Sequence, residues 1–164
     1  MKNLKLKAED IEDITILSAY LQDAITKMAD MSYQSQARQF VIMLNRFVWE
    51  AGCAETDNII PDENHAKNLN CSRIRTGLHF DEILNIHSQN ITITSKDLAL
   101  ELLSIEAQKN EKNAFLVDLI FSGDGVIRLE CEMISAHMQD IGEPWPAKCH
   151  PKHEILDALQ DEKL

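Results

Sequence analysis

Apolar residues recur at spacings of three and four early in the chain: Ile11, Ile14, Leu17, Tyr20, Leu21, Ala24, Ile25 and Met28. That period predicts an amphipathic helix over residues 10–28. Asp10 stands where an N-cap belongs, and Glu12 and Asp13 fall in the acid-favouring first turn. Beyond this point the period drops to two. Residues 28–50, MADMSYQSQARQFVIMLNRFVWE, read as a hairpin turned by the polar QSQAR. FVIML is apolar on both faces, as an inner strand is. Further on the faces separate: Asn45, Phe47 and Trp49 point one way, and Leu44, Arg46 and Val48 the other. RIRTGLHF alternates cleanly, with Ile74, Thr76, Leu78 and Phe80 inward and Arg73, Arg75, Gly77 and His79 outward. EILNIHS extends the sheet after a bend at Asp81–Glu82. AFLVDLIF, a SGDG turn and VIRLECEM form a second hairpin. Asp124–Gly125 suits its positive φ, and Ile127, Leu129, Cys131 and Met133 face inward. SKDLALELLSIEAQ fits either a helix capped by Ser95 or a bulged strand.

Two octets resemble each other, LSAYLQDA at 17–24 and ISAHMQDI at 134–141. The first lies inside a long helical period. The second is followed by Gly142 and Pro144, a stop signal that predicts a second short helix near 134–141, although its letters also alternate as a strand's do. Without further periodic copies, the shared phrase reads as two similar packing solutions and not as a duplicated unit. Residues 51–71 are polar and mixed, which marks a long loop. These signals predict a single α+β domain over residues 1–149. A mainly antiparallel, curved sheet of six or seven strands packs on the N-terminal helix, and residues 150–164 form a tail.

The chain of 164 residues carries a net charge of −11. Its basic residues are dispersed, which argues against nucleic acid and anionic membranes as partners, since both need clustered Lys and Arg. A basic protein or a cationic ligand is electrostatically compatible. The N-terminal MKNLKLKAED has no apolar signal region, and no stretch approaches the roughly 20 apolar residues of a membrane helix. The expectation is a cytoplasmic protein with reduced thiols.

Candidate chemistry is sparse. Cys149, His150 and His153 are metal-ligating types at close range, yet a structural zinc site needs four ligands. Completing the set would draw Cys53, Cys71 or His65 from the polar loop, and no CxxC pair is present. No metal and no cofactor is therefore implied. Cys131 alternates with core residues, which makes it a buried and inert thiol, whereas a Cys149–His pairing is an open enzymic alternative. Asp118 with Glu101, Glu130 or Glu132 is the corresponding carboxylate pair. Walker, GxGxxG, HExxH and GxSxG patterns are missing. LNRFVWE stands out: Arg46 suits bidentate recognition of a carboxylate, with Trp49 as a platform. The candidate binding face is Asn45, Arg46, Trp49, Arg73 and Arg75.

RQFVIMLNRFVWE, RTGLHFDEILNI and GVIRLECEMISAHMQDIG followed by PWP together resemble a family of small alphaproteobacterial proteins classed as a domain of unknown function. The likeness covers most of residues 4–148. It implies that 99–108 is strand-like and that 51–71 is a surface loop of variable length. It implies no activity, ligand or catalytic residue. The combined expectation is a non-catalytic module that binds an unknown protein or peptide, with a small Cys–His or paired-carboxylate enzyme as the alternative. The sequence specifies neither a substrate nor an oligomeric state.

Overall fold

The computed structural model describes residues 2–51, 54–55 and 69–147. The cysteine–histidine cluster at 149–153, the tail 150–164 and most of the polar loop lie outside them. The chain opens with β1 (Lys5–Ala8), α1 (Ile11–Leu21), β2 (Ala24–Lys27), β3 (Met31–Gln34) and β4 (Gln39–Phe47). After the small ladder of β5 (Ala54–Glu55) and β6 (Leu69–Asn70) come β7 (Ser72–Phe80) and β8 (Ile83–Gln89). The last four strands are β9 (Ala99–Lys109), β10 (Phe115–Phe121), β11 (Gly125–Cys131) and β12 (Ala136–Pro146).

Ten of these strands form one antiparallel sheet in the order β1-β12-β7-β4-β2-β9-β10-β11-β8, with β3 beside β4. This corrects the expected α+β domain of six or seven strands: the molecule is mostly sheet, with one α-helix among the described residues. The order also fixes the shape. β7 and β8 are six strand spacings apart along the sheet, about 29 Å if it were flat. Only Asp81 and Glu82 join them, and three Cα steps reach at most about 11 Å. The sheet therefore curls until its far end returns to β7. Glu82 makes the corner with φ of 59°, and the Glu132 amide closes it by donating to the Glu82 carbonyl at 2.9 Å.

The helix is shorter than its apolar period promised. Asp10 caps it by accepting from the Asp13 amide at 2.8 Å, and Asp13 returns the bond to the Glu9 amide at 2.9 Å. The helix stops at Leu21, because Asp23 takes a φ of 61° and donates its amide to the Leu102 carbonyl at 2.8 Å. From there Ala24, Thr26 and Met28 are buried while Ile25 and Lys27 are exposed, a period of two that the apolar count had absorbed into the helix. Ile14, Leu17 and Leu21 are buried against β9, β1 and β4, which lays the helix across the hollow of the curl. Each such side chain contributes about 1.5–3 kcal/mol on burial.

The second octet is not a helix. Residues 136–146 are β12, paired residue by residue with β7 from Ala136↔Phe80 to Ile141↔Arg75. Alternation won there because β7 offers a long partner on one side and β1 pairs with Ala136–Gln139 on the other. The two octets thus fold into different elements, and their shared letters serve different ends. Ser18 accepts the Ile105 amide at 2.8 Å. Ser135 offers its carbonyl to the Asp81 amide at 2.8 Å. SKDLALELLSIEAQ resolves as strand β9 from Ala99 onward, as the family resemblance implied. In the SGDG turn the positive φ values fall on Gly123 and Asp124, one residue earlier than expected. Cys71 is disulfide-bonded, which corrects the expectation of reduced thiols throughout. No helix among the described residues is long and apolar enough to cross a membrane.

Candidate functional site

Alternation along β4 decides the fate of its arginine. Phe40, Ile42, Leu44 and Arg46 face the core, whereas Gln39, Val41, Met43 and Asn45 face out. Arg46 is therefore carried into the interior, where it is fully buried. A guanidinium has five N–H donors, and here each has a partner. Nε donates to Asp140 Oδ1 at 2.8 Å and Nη2 to Asp140 Oδ2 at 2.6 Å, a bidentate pair. Glu50 accepts from Nη1 at 3.0 Å and from Nη2 at 2.6 Å, and the Phe47 carbonyl accepts from Nη1 at 2.9 Å. Asp140, delivered by β12, also accepts Thr76 Oγ1 at 2.8 Å and the Leu4 amide at 3.1 Å. Burial alone would push the Asp140 carboxyl up, but the bonds from Arg46 and Thr76 outweigh it and hold it below the ordinary value. Hydrogen bonds from Arg46 likewise hold Glu50 down. Arg46 is thus a bidentate donor, as its sequence context suggested, but both carboxylates are the protein's own.

The outer face of the same strands has a different character. Three ladder rows cross it. Lys7, His137, His79 and Val41 stand opposite one another along β1, β12, β7 and β4. The next row is Lys5, Gln139, Gly77 and Met43, and the third is Ile141, Arg75 and Asn45. Gly77 keeps the middle of the face low, between Met43 and Ile141. The result is a shallow groove of about 460 Å³ along β1, β12 and β7.

Of the sequence-selected residues, Asn45, Arg73 and Arg75 belong to this outer face. Arg75 donates to Asn45 Oδ1 at 3.2 Å and pairs with Asp30 at 3.2 Å. Arg73 lies 3.8 Å over the Phe47 ring and donates to the Asn45 carbonyl at 2.8 Å. Trp49 donates its indole N–H to the Gln22 carbonyl at 3.2 Å, and its ring sits 5.2 Å from that of Phe47. Trp49 follows the end of β4 in a short turn, and Arg46 lies on the other side of the sheet.

Sequence reasoning missed His137 and Asp81. The His79 and His137 rings stack at 4.8 Å, and both face Asp81. The available signal was His-x-Asp at the end of an alternating strand, which puts both side chains on one face. Its partner His137 was hidden in a segment expected to be helical.

Cys131 is buried, and its thiol is pushed up to about 12, first by burial and then by Glu130. Asp118 is held by Arg128 through two bonds of 2.7 Å.

A family described as "Protein of unknown function (DUF2948)" matches residues 4–153. The chain belongs to that family. The DUF2948 match takes in every strand of the sheet, both the Arg46 cluster and the outer face. No curated protein and no solved structure matches the sequence.

Proposed function

We propose that this protein is a non-catalytic binding module whose outer face on β1, β12, β7 and β4 receives an acidic peptide segment or protein surface. One observation carries the reading. On a chain of net charge −11, the sheet register gathers Lys5, Lys7, Arg75, His79 and His137 onto a single face. The rows themselves contain no carboxylate. Ile141 and Trp145, both well exposed, lie on the same strand as His137, beside Arg75 and Arg73. Arginine and aromatic side chains around an apolar patch are the usual material of a protein interface.

The charges are held loosely enough to exchange. Lys7 pairs with Glu9 and Arg75 with Asp30, both as solvent-accessible contacts. Such pairs are worth about 0–1 kcal/mol, so a partner's carboxylate can replace the protein's own. A local cationic face on an acidic body also orients an acidic partner as it approaches. Of the enzymic alternative, Asp118 is bound to Arg128, and Cys149 lies outside the described residues.

The test is fluorescence anisotropy with a labelled Glu- and Leu-containing peptide, its Lys-containing counterpart, and a single-stranded oligonucleotide. The acidic peptide is expected to bind. Combined Lys5→Glu, Lys7→Glu and Arg75→Glu should weaken it at least about tenfold. High salt should weaken it too, since at 1 M the screening length falls to about 3 Å. Equal binding of the two peptides, preference for the oligonucleotide, or indifference to the triple reversal would sink the proposal.

A further inference from the structure

We infer that His79, Asp81 and His137 form a binding site for one divalent first-row transition-metal ion such as Zn²⁺. β7 and β12 place the two imidazoles directly opposite each other, and Asp81 follows two residues after His79 on the same face. One ligand atom from each residue lies within 4.8 Å of the others. Asp81 Oδ2 is 3.4 Å from His79 Nε2 and 3.7 Å from His137 Nδ1.

These spacings decide between two readings. A plain imidazole–carboxylate hydrogen bond closes to about 2.7–3.2 Å. Two ligands held at about 2.1 Å from one ion at a tetrahedral angle stand about 3.4 Å apart. The two separations to Asp81 fit the edges of a coordination shell better than hydrogen bonds, and the imidazole nitrogens, within 4.8 Å, need only a small side-chain rotation to close the third edge. His137 Nδ1 supplies an independent sign: the atom is buried and has no hydrogen-bond partner. Buried polar atoms left that way call for an explanation, and an ion is one.

The outer shell is already in place. Asp81 Oδ1 accepts Gln39 Nε2 at 2.8 Å, and the Asp81 amide is tied to the Ser135 carbonyl at 2.8 Å. One carboxylate oxygen is thus anchored, and the other is presented to both rings, as metal-ligating carboxylates are. Two nitrogen ligands and one oxygen favour Zn²⁺, Co²⁺, Ni²⁺ or Fe²⁺ over Mg²⁺ and Ca²⁺, which take oxygen. Three protein ligands leave a coordination position for water or for an incoming oxygen ligand.

This inference stands apart from the peptide reading, because its test contains no peptide and leaves Lys5, Lys7 and Arg75 untouched. The full chain, without a histidine tag, is titrated with Zn²⁺ by calorimetry and with Co²⁺ by visible absorption. One ion per chain is expected, together with the absorption of low-coordinate Co²⁺. His79→Ala and His137→Ala should each abolish this binding without moving the unfolding midpoint of the metal-free protein. Gln39→Ala should weaken it roughly 10–100-fold through the outer shell. Absence of saturable binding overturns the site. So does binding that survives the double His79→Ala/His137→Ala variant, including binding lost instead on replacing His150 and His153.

Discussion

Arg46 and Arg75 stand almost side by side on neighbouring strands. Arg46 is opposite Ile74, and Arg75 is opposite Asn45, one register step away. Yet Arg46 is wholly buried with five bonds to its own protein. Arg75 is 33% exposed and leans on Asp30 at 3.2 Å. Residue type does not separate them. A period-two chain sends one to each face of the sheet, and the face decides whether an arginine is locked into the fold or stays accessible at the surface.

The sharpest way to break that contrast is to remove the inner arginine. Arg46→Met leaves Asp140 and Glu50 without their cation, and uncompensated buried charge of this kind costs about 3–5 kcal/mol. Urea unfolding should show a loss of that size with peptide affinity unchanged in the fraction that stays folded. Adding Asp140→Val should recover much of the loss, because an apolar replacement of the whole pair is often neutral. If Arg46→Met costs less than about 1 kcal/mol, the cluster is not what joins β4 to β12.

Acid is the second probe, and its sign follows from the depressed carboxyls. Asp140 and Glu50 titrate lower in the folded chain than ordinarily, so below pH about 4 the unfolded chain binds more protons than the folded one. The stability they contribute is complete above the unfolded value and drains away as pH falls through the folded value. The loss at Asp140 is the bonds from Arg46 and Thr76 less the opposing cost of burying the charge, because only the net lowering is linked to pH. Thr76→Val removes a bond that lowers Asp140 and should move acid unfolding to higher pH. An acid limb identical in wild type and Thr76→Val, followed by circular dichroism, would contradict this account.

How far the sequence could carry these conclusions depends on the range of the interactions. Within-strand alternation is local, and RIRTGLHF revealed both faces of β7 correctly, Arg75 and His79 outward and Thr76 inward. The same rule groups Arg46 with Leu44 and Val48 but does not say that this face meets the core, which is why Arg46 was expected on an open binding face. What stayed hidden was pairing between distant segments: Asp140 lies 94 residues from Arg46, and nothing near either residue names the other. The strand count failed for a related reason. Ala24–Lys27 and residues 136–146 are compatible with two periods, and only their neighbours in the sheet, β9 and β7, select the extended one. Missing β12 as a strand also removed His137 from view, and with it the cluster at Asp81.

The smallest expected effect sharpens the other side of the comparison. Arg75→Ala should change unfolding stability by no more than about 0.5 kcal/mol, since a solvent-accessible pair offers little and its loss strands no buried charge. Measured beside Arg46→Met, it should differ by several kcal/mol although the two residues occupy adjacent rungs. Asp30→Asn acts on the other partner of the pair. It releases Arg75 from its carboxylate, so affinity for an acidic peptide should rise while stability stays level. A loss above about 2 kcal/mol in Arg75→Ala, or weaker peptide binding in Asp30→Asn, would mean that the Arg75–Asp30 pair belongs to the scaffold. The outer face would then be a second structural layer, and the division of labour between the two arginines would disappear.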